Sequence, residues 1–204
     1  GVFLEAAAEQ PSKPGGRGGR QRAPVRLLAD DRDDRVGDVL TGERAASRQH
    51  LVKHGAERPH VGAPIDGYEG AACLLSEPAA RALALVQRDL EEEGLGLRVF
   101  DCYRPRRAVA HFVRWARDLG EQRTKAVYYP RVEKAELFAK GYIAERSGHS
   151  RASTVDLSLV ARRADGSLGE LDMGTPFDLF DPRSHTESPE VTAAQRGHRL
   201  RLRA

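Results

Sequence analysis

Residues 153–160, STVDLSLV, alternate polar and apolar side chains more cleanly than any other stretch, and so constrain the fold most. Successive side chains of a strand point to opposite faces. Val155, Leu157 and Leu159 therefore share one face, and Thr154, Asp156 and Ser158 the other.

The segments before this strand read as helices and a second strand. SEPAARALALVQRDLEEEG (76–94) has Ser76 as an N-cap and Pro78 in its first turn. Ala79, Leu83, Val86 and Leu90 follow at helical spacing, and Gly94 stops it. LGLRVFDCY (95–103) reads as a strand with Leu95, Leu97 and Val99 on one face. PRRAVAHFVRWARDLG (105–120) starts on Pro and ends on Gly, with Val109, Phe112, Val113 and Ala116 as its buried stripe. PRVEKAELFAKG (130–141) repeats that grammar and predicts a further helix. Elements in this order predict an α+β domain, a largely antiparallel sheet flanked by helices.

That domain is expected to begin at Val61. Residues 1–60 contain PSKPGGRGGRQRAP (11–24), a Gly/Pro/Arg-rich tract, and ADDRDDR (29–35), a dense run of charge. Such composition buries too little apolar surface to offset chain entropy. The segment reads as disordered or divergent, with room for a short helix near Arg35–Arg48.

Charge and cysteine content exclude several functions. The 33 basic and 30 acidic residues leave a net charge of only +3, with no basic stripe interleaved with aromatics, so nucleic acid is not an expected partner. Arg196, Arg199, Arg201 and Arg203 read as a solvated helix face. No apolar run approaches the roughly 18 residues of a membrane span, and no complete signal peptide is visible. Cys73 and Cys102 allow one disulfide but no cysteine-based zinc site.

Two segments carry residues suited to chemistry. In SGHSRASTVDLSL (147–159), His149 precedes Asp156 by seven residues. A flat strand would aim the two apart, but a turn through residues 150–152 lets both converge on one ion. An imidazole and a carboxylate make two of the three protein ligands of a catalytic zinc site. The competing reading is a surface His, and a strand Asp paired with an Arg. In DCYRPRRA (101–108), Arg104 lies where a strand passes into a helix. Its planar, permanently charged fork suits an oxyanion; the competing reading is a salt bridge with Asp101.

PIDGYE (64–69), DCYRPRRAV (101–109), YYP (128–130), KGYIAERSGHSRASTVDLSLV (140–160) and LDMGTPFDLFDPRSH (171–185) occur in this order. Together they closely resemble the D-alanyl-D-alanine dipeptidases, the VanX-type branch of the zinc D,D-peptidases, over roughly residues 61–204. The resemblance implies the hedgehog/D,D-peptidase-like fold and zinc-dependent hydrolysis of the small molecule D-Ala-D-Ala in cell-wall metabolism. It implies a cytoplasmic location, or a periplasmic one if an export signal is lost. It also implies that His149 and Asp156 bind Zn2+, that Arg104 stabilises the tetrahedral intermediate, and that Tyr68, Ser147 and Asp178 hold the substrate, Asp178 taking its ammonium.

The resemblance fails in two places. The family's Tyr-Ala-Thr and Asn-Phe stretch has no counterpart in KHGAERPHVGAP (53–64). The family's third zinc ligand and general base form a Glu-x-x-His pair near the C-terminus, and this sequence ends in HRLRLRA without one. Glu57-Arg58-Pro59-His60 has that spacing but lies in the wrong place and reads as coincidence. His185 and His198 are poor substitutes. The expectation is an incomplete copy of an active dipeptidase, with a D,D-carboxypeptidase or a non-catalytic peptide- or metal-binding remnant as rivals.

Overall fold

The structure is a computed structural model that describes residues 60–68 and 72–204, and the backbone of two strands at residues 2–4 and 25–28. The helix expected near Arg35–Arg48 lies outside the described residues. Six strands and four α-helices are described: β1 (Val2–Leu4), β2 (Val25–Leu28), β3 (Ala72–Leu75), α1 (Glu77–Glu92), β4 (Leu95–Asp101), α2 (Arg106–Arg117), α3 (Lys125–Tyr128), β5 (Val155–Arg162), β6 (Leu168–Glu170) and α4 (Ala193–Arg203). Among the described residues no helix is long and apolar enough to cross a membrane.

Strand β5 organises the main sheet, which is antiparallel throughout. It pairs with β4 along one edge; along the other it pairs first with β1 and then with β6. A separate ribbon pairs β2 with β3. The β4–β5 register runs from Leu95 opposite Ala161 to Val99 opposite Leu157, then shifts, so that Asp101 faces Asp156. This irregularity inserts one extra residue and re-aims the end of β4.

Both expected faces of β5 exist, but the polar one is the more deeply covered. Asp156 and Ser158 are buried while Val155 and Leu157 are only half-buried. Asp156 faces Arg104 and His149 rather than water. Helix α1 starts after Ser76 and ends at Gly94, whose φ of +72° is the left-handed region that glycine adopts freely. Its buried positions are Ala80, Gln87 and Leu90, whereas Val86 is exposed. Gln87 sits on the inner face because its side-chain oxygen accepts from Leu97 N at 2.9 Å, tying α1 to β4. Helix α2 buries Ala108, Val109, Phe112, Trp115 and Ala116; Val113 is only partly covered.

Residues 130–141 do not form the expected helix. They make one short 3-10 turn at Lys134–Glu136 and a string of bends. Val132, Lys134 and Leu137 are all buried, a spacing that no single helix face supplies. Lys134 Nζ donates to the carbonyls of Asp118 and Glu121 at 2.8 and 2.5 Å and lies 4.2 Å from the centre of the Trp115 ring. It therefore closes the loop after α2, with a cation–π contact over the indole.

The arginines of α4 are not one solvated face either. Arg199 is fully buried, and its guanidinium donates to the carbonyls of Met173, His185 and Arg183 at 2.6, 2.6 and 2.8 Å. The long loop after β6 has few backbone partners of its own, and one planar fork satisfies three of its carbonyls. The same loop is pinned at Asp181, also fully buried, which accepts from Arg131 Nε and Nη2 at 2.8 and 2.5 Å and from Arg183 Nε at 3.0 Å.

The hydrogen bonds from Arg131 hold the Asp181 carboxyl well below the usual carboxylate range, outweighing its burial. A depressed folded value means stability that is complete above the unfolded value of about 3.9 and lost as pH falls toward the folded one. Asp181→Asn should therefore unfold at lower urea than the native chain at neutral pH, and the gap should shrink as pH is lowered below about 4. Urea titrations at a series of pH values would check this; a gap that widens in acid would contradict it.

Candidate metal and substrate site

The site assembles at the C-terminal end of β4. Because the register shifts after Val99, two buried carboxylates, Asp101 and Asp156, occupy facing positions on neighbouring strands. Like charges placed so are destabilising unless a cation joins them. Arg104 supplies one: its Nη2 lies 2.8 Å from Asp101 Oδ2 and 3.6 Å from Asp156 Oδ2. The two carboxylates raise its affinity for its proton despite the opposing effect of burial, so it stays charged. Its guanidinium carbon also lies 5.1 Å from the centre of the Phe112 ring, which walls the site on the α2 side.

His149 approaches from a 3-10 turn, Gly148–Arg151, that ends on Ala152 with φ of +57°. This turn removes the objection that residues seven apart point to opposite faces. Nδ1 of His149 lies 2.7 Å from the carbonyl of Cys102, and Nε2 lies 3.3 Å from Asp156 Oδ1. A backbone carbonyl behind Nδ1 fixes the ring and leaves Nε2 facing Asp156, the usual arrangement of a metal-binding histidine, while Asp101 Oδ2 lies 3.9 Å from Nδ1. Burial would lower the proton affinity of the ring, but the contact with Asp156 outweighs it and raises the value. Burial likewise lifts Asp101 above the usual carboxylate range, with Arg104 opposing and Asp156 adding to the rise.

Asp101, His149 and Asp156 are buried together, with one donor atom from each within 4.8 Å of the others, and they form a group able to hold a metal ion. The donor chemistry fits: Asp156 Oδ2 is buried with no hydrogen-bond partner among the described residues. Asp101 is the residue that motif reasoning passed over, having entered only as a salt-bridge partner. Its carboxylate is already engaged, by the hydroxyl of Tyr68 at 3.0 and 3.1 Å, Cys102 N at 2.9 Å and Arg104 Nε at 2.8 Å. The only sequence signal for it was its place three residues before Arg104.

Of the remaining expected residues, Tyr68 joins this cluster through Asp101. Burial, reinforced by the Asp101 charge, holds its phenol far above the usual range, so it acts as a donor. Gly67 makes this possible: at φ of +89° a Cβ would come within 3.1 Å of Arg107 Cβ and 3.2 Å of Pro105 Cγ, so the loop packs directly on the start of α2. Ser147 accepts from His149 N at 3.3 Å and lines a cavity of about 950 Å³ beside α2. Asp178 stands apart from the metal group, with Oδ2 3.3 Å from His60 Nδ1. Its carboxyl is held below the usual range because the His60 hydrogen bond, helped by Arg104, outweighs burial. His185 and His198 serve elsewhere, against the Tyr142 hydroxyl at 3.1 Å and the Asp172 carbonyl at 2.9 Å.

Cys73 and Cys102 form a disulfide that ties β3 to the residue whose carbonyl holds His149. Tyr103 N also donates to Leu74 O at 3.0 Å. The segment from Asp101 to Arg104 is thus braced on both flanks.

Residues 55–204 match the protein family described as D-ala-D-ala dipeptidase. A D-alanyl-D-alanine dipeptidase of Streptomyces coelicolor is 42% identical over 144 residues, 71% of this chain and 70% of that protein. One from Enterococcus faecalis is 42% identical over 144 residues, 70% of this chain and 69% of that protein. One from Escherichia coli is 34% identical over 137 residues, 67% of this chain and 60% of that protein.

Metal binding by the Asp–His–Asp group should compete with protons, because an imidazole must give up its proton to ligate. Calorimetric titration with zinc or cobalt should show affinity falling as the pH drops below neutrality. His149→Ala should abolish binding, and stoichiometric binding that survives this change would rule the group out.

Proposed function

This chain belongs to the D-Ala-D-Ala dipeptidase family, and we propose that it hydrolyses D-Ala-D-Ala to two D-Ala as a zinc enzyme of cell-wall metabolism. The observation that carries the reading is one cluster in which Arg104 and His149 both reach Asp156, inside the region of family similarity.

His149 Nε2 and Asp156 are the zinc ligands in this reading. Asp101 remains with Arg104 and Tyr68, because its lone pairs are taken by their donors. Zinc bound there would supply an activated water at neutral pH.

The chain's own groups then divide the work. Arg104, held by Asp101, offers its fork to the oxyanion that develops on the scissile carbonyl. Its orientation is set in advance, so little reorganisation is required when charge appears. Asp178 receives the substrate's free ammonium at the opposite end, with Tyr68 and Ser147 completing the contacts. The Phe112 ring touches both Arg104 and His60, the partner of Asp178, and so joins the two ends of the site.

The assignment of Asp178 predicts substrate choice. In a protein that also carries the family's C-terminal Glu-x-x-His pair, zinc-loaded, D-Ala-D-Ala should be turned over, while N-acetyl-D-Ala-D-Ala, which lacks the ammonium, should be a very poor substrate. Equal turnover of both would favour a carboxypeptidase. Arg104→Lys keeps the charge but loses the fork. In that same complete protein it should lower kcat on the order of 10²–10³-fold while leaving it folded and metal-binding; an unchanged kcat would return Arg104 to a purely structural ion pair.

A further inference from the structure

His60 occupies a place that an apolar ring would fill at lower cost. It is 5% exposed, with ring centroids 4.6 Å from Phe180, 4.9 Å from Trp115 and 5.1 Å from Phe112. Its Nε2 is buried with no hydrogen-bond partner among the described residues. A buried, unsatisfied ring nitrogen is unfavourable, so retention of an imidazole here calls for a role at the other nitrogen. That nitrogen, Nδ1, meets Asp178 Oδ2 at 3.3 Å. The backbone is also anchored, since the carbonyl of His60 accepts from the Thr124 hydroxyl.

Asp178 needs such a partner. Its φ of +62° is a left-handed conformation that side-chain-bearing residues adopt at a cost and that persists where surroundings enforce it. Two residues on, Phe180 N donates to the Tyr128 carbonyl at 2.6 Å, which sets the backbone but not the carboxylate. Among the described residues, His60 is the group that hydrogen-bonds the carboxylate. With the proton on Nδ1, the imidazole donates to Oδ2 and leaves Oδ1 for a ligand.

We propose that His60 is a positioning residue for substrate recognition: its Nδ1–H orients the Asp178 carboxylate toward the ammonium of the dipeptide. This rests on the reading of Asp178 given above. His60 touches no reacting atom and acts only through Asp178.

The test is dipeptide binding by calorimetry to the full chain kept free of zinc, so that the dipeptide is bound and not turned over, with imidazole 15N shifts of His60 as a second readout. His60→Phe should weaken D-Ala-D-Ala binding about tenfold, the loss expected for a hydrogen bond to a charged group. His60→Asn, whose amide nitrogen can replace Nδ1, should recover most of it. In an Asp178→Asn background His60→Phe should have no further effect, because the two act as a unit. N-acetyl-D-Ala-D-Ala should not distinguish the native chain from His60→Phe.

If Asp178→Asn weakens the free dipeptide but His60→Phe does not, the role of His60 is overturned and that of Asp178 stands. Equal weakening of blocked and free dipeptide by His60→Phe would mean a merely structural histidine and overturns the proposal too. Unchanged binding in Asp178→Asn, or no binding by the native chain, removes the reading of the site instead. The 15N shifts then still decide the contact: a Nδ1-protonated signature that changes in Asp178→Asn supports it, and one that does not refutes it. The shifts need only the native chain and Asp178→Asn, so they also decide the matter if His60→Phe fails to fold.

Discussion

Two buried carboxylates on neighbouring strands are the constraint around which the rest of this structure is arranged. The register shift at the end of β4 sets Asp101 opposite Asp156, and two carboxyl groups buried side by side call for a positive neighbour. Arg104 meets that need from the turn into α2, and His149 from the turn before β5. Bracing by the disulfide, by Tyr68 and by the Cys102 carbonyl keeps these four side chains within reach of one another. A cluster of two carboxyl groups, one guanidinium and one imidazole offers donor atoms to a cation. The electrostatic problem created by the sheet is the same feature that gathers a group able to hold a metal ion.

The loop-rich half of the domain is held by a different use of charge. Lys134, Asp181 and Arg199 are all buried, and each satisfies backbone carbonyls or opposing guanidinium groups where no regular element does so. Such groups are costly to desolvate and costly to leave unpaired, so they favour a single loop path. That path carries Asp178 to the aromatic wall formed by Phe112, Trp115 and Phe180. The His60–Asp178 pair therefore depends on loop anchoring some distance away, while the metal group depends on sheet register.

Local rules sufficed for much of this in the sequence. Alternation located β5, and proline and glycine marked the bounds of α1 and α2; Arg104, His149 and Asp156, which the fold brings into one cluster, were suggested by residue type and singled out by the family resemblance. These signals are readable because each depends on residues near in sequence. The 130–141 segment misled for the same reason: it carries helix punctuation, but burial of Val132, Lys134 and Leu137 against α2 and its following loop overrides that preference. Arg199 looked like one of four equivalent surface arginines, because nothing local announces three unpaired carbonyls in a distant loop.

What only the tertiary structure decided is which polar residues are partners. Asp101 faces Asp156 through a one-residue irregularity that no pattern along β4 encodes, and His60 meets Asp178 across 118 residues of sequence. Sequence by itself determined the residue types and their local elements, since propensity and periodicity are short-range properties. The pairing of charges is set by sheet register and loop packing, which are long-range, and it is that pairing which turns a set of motifs into a site.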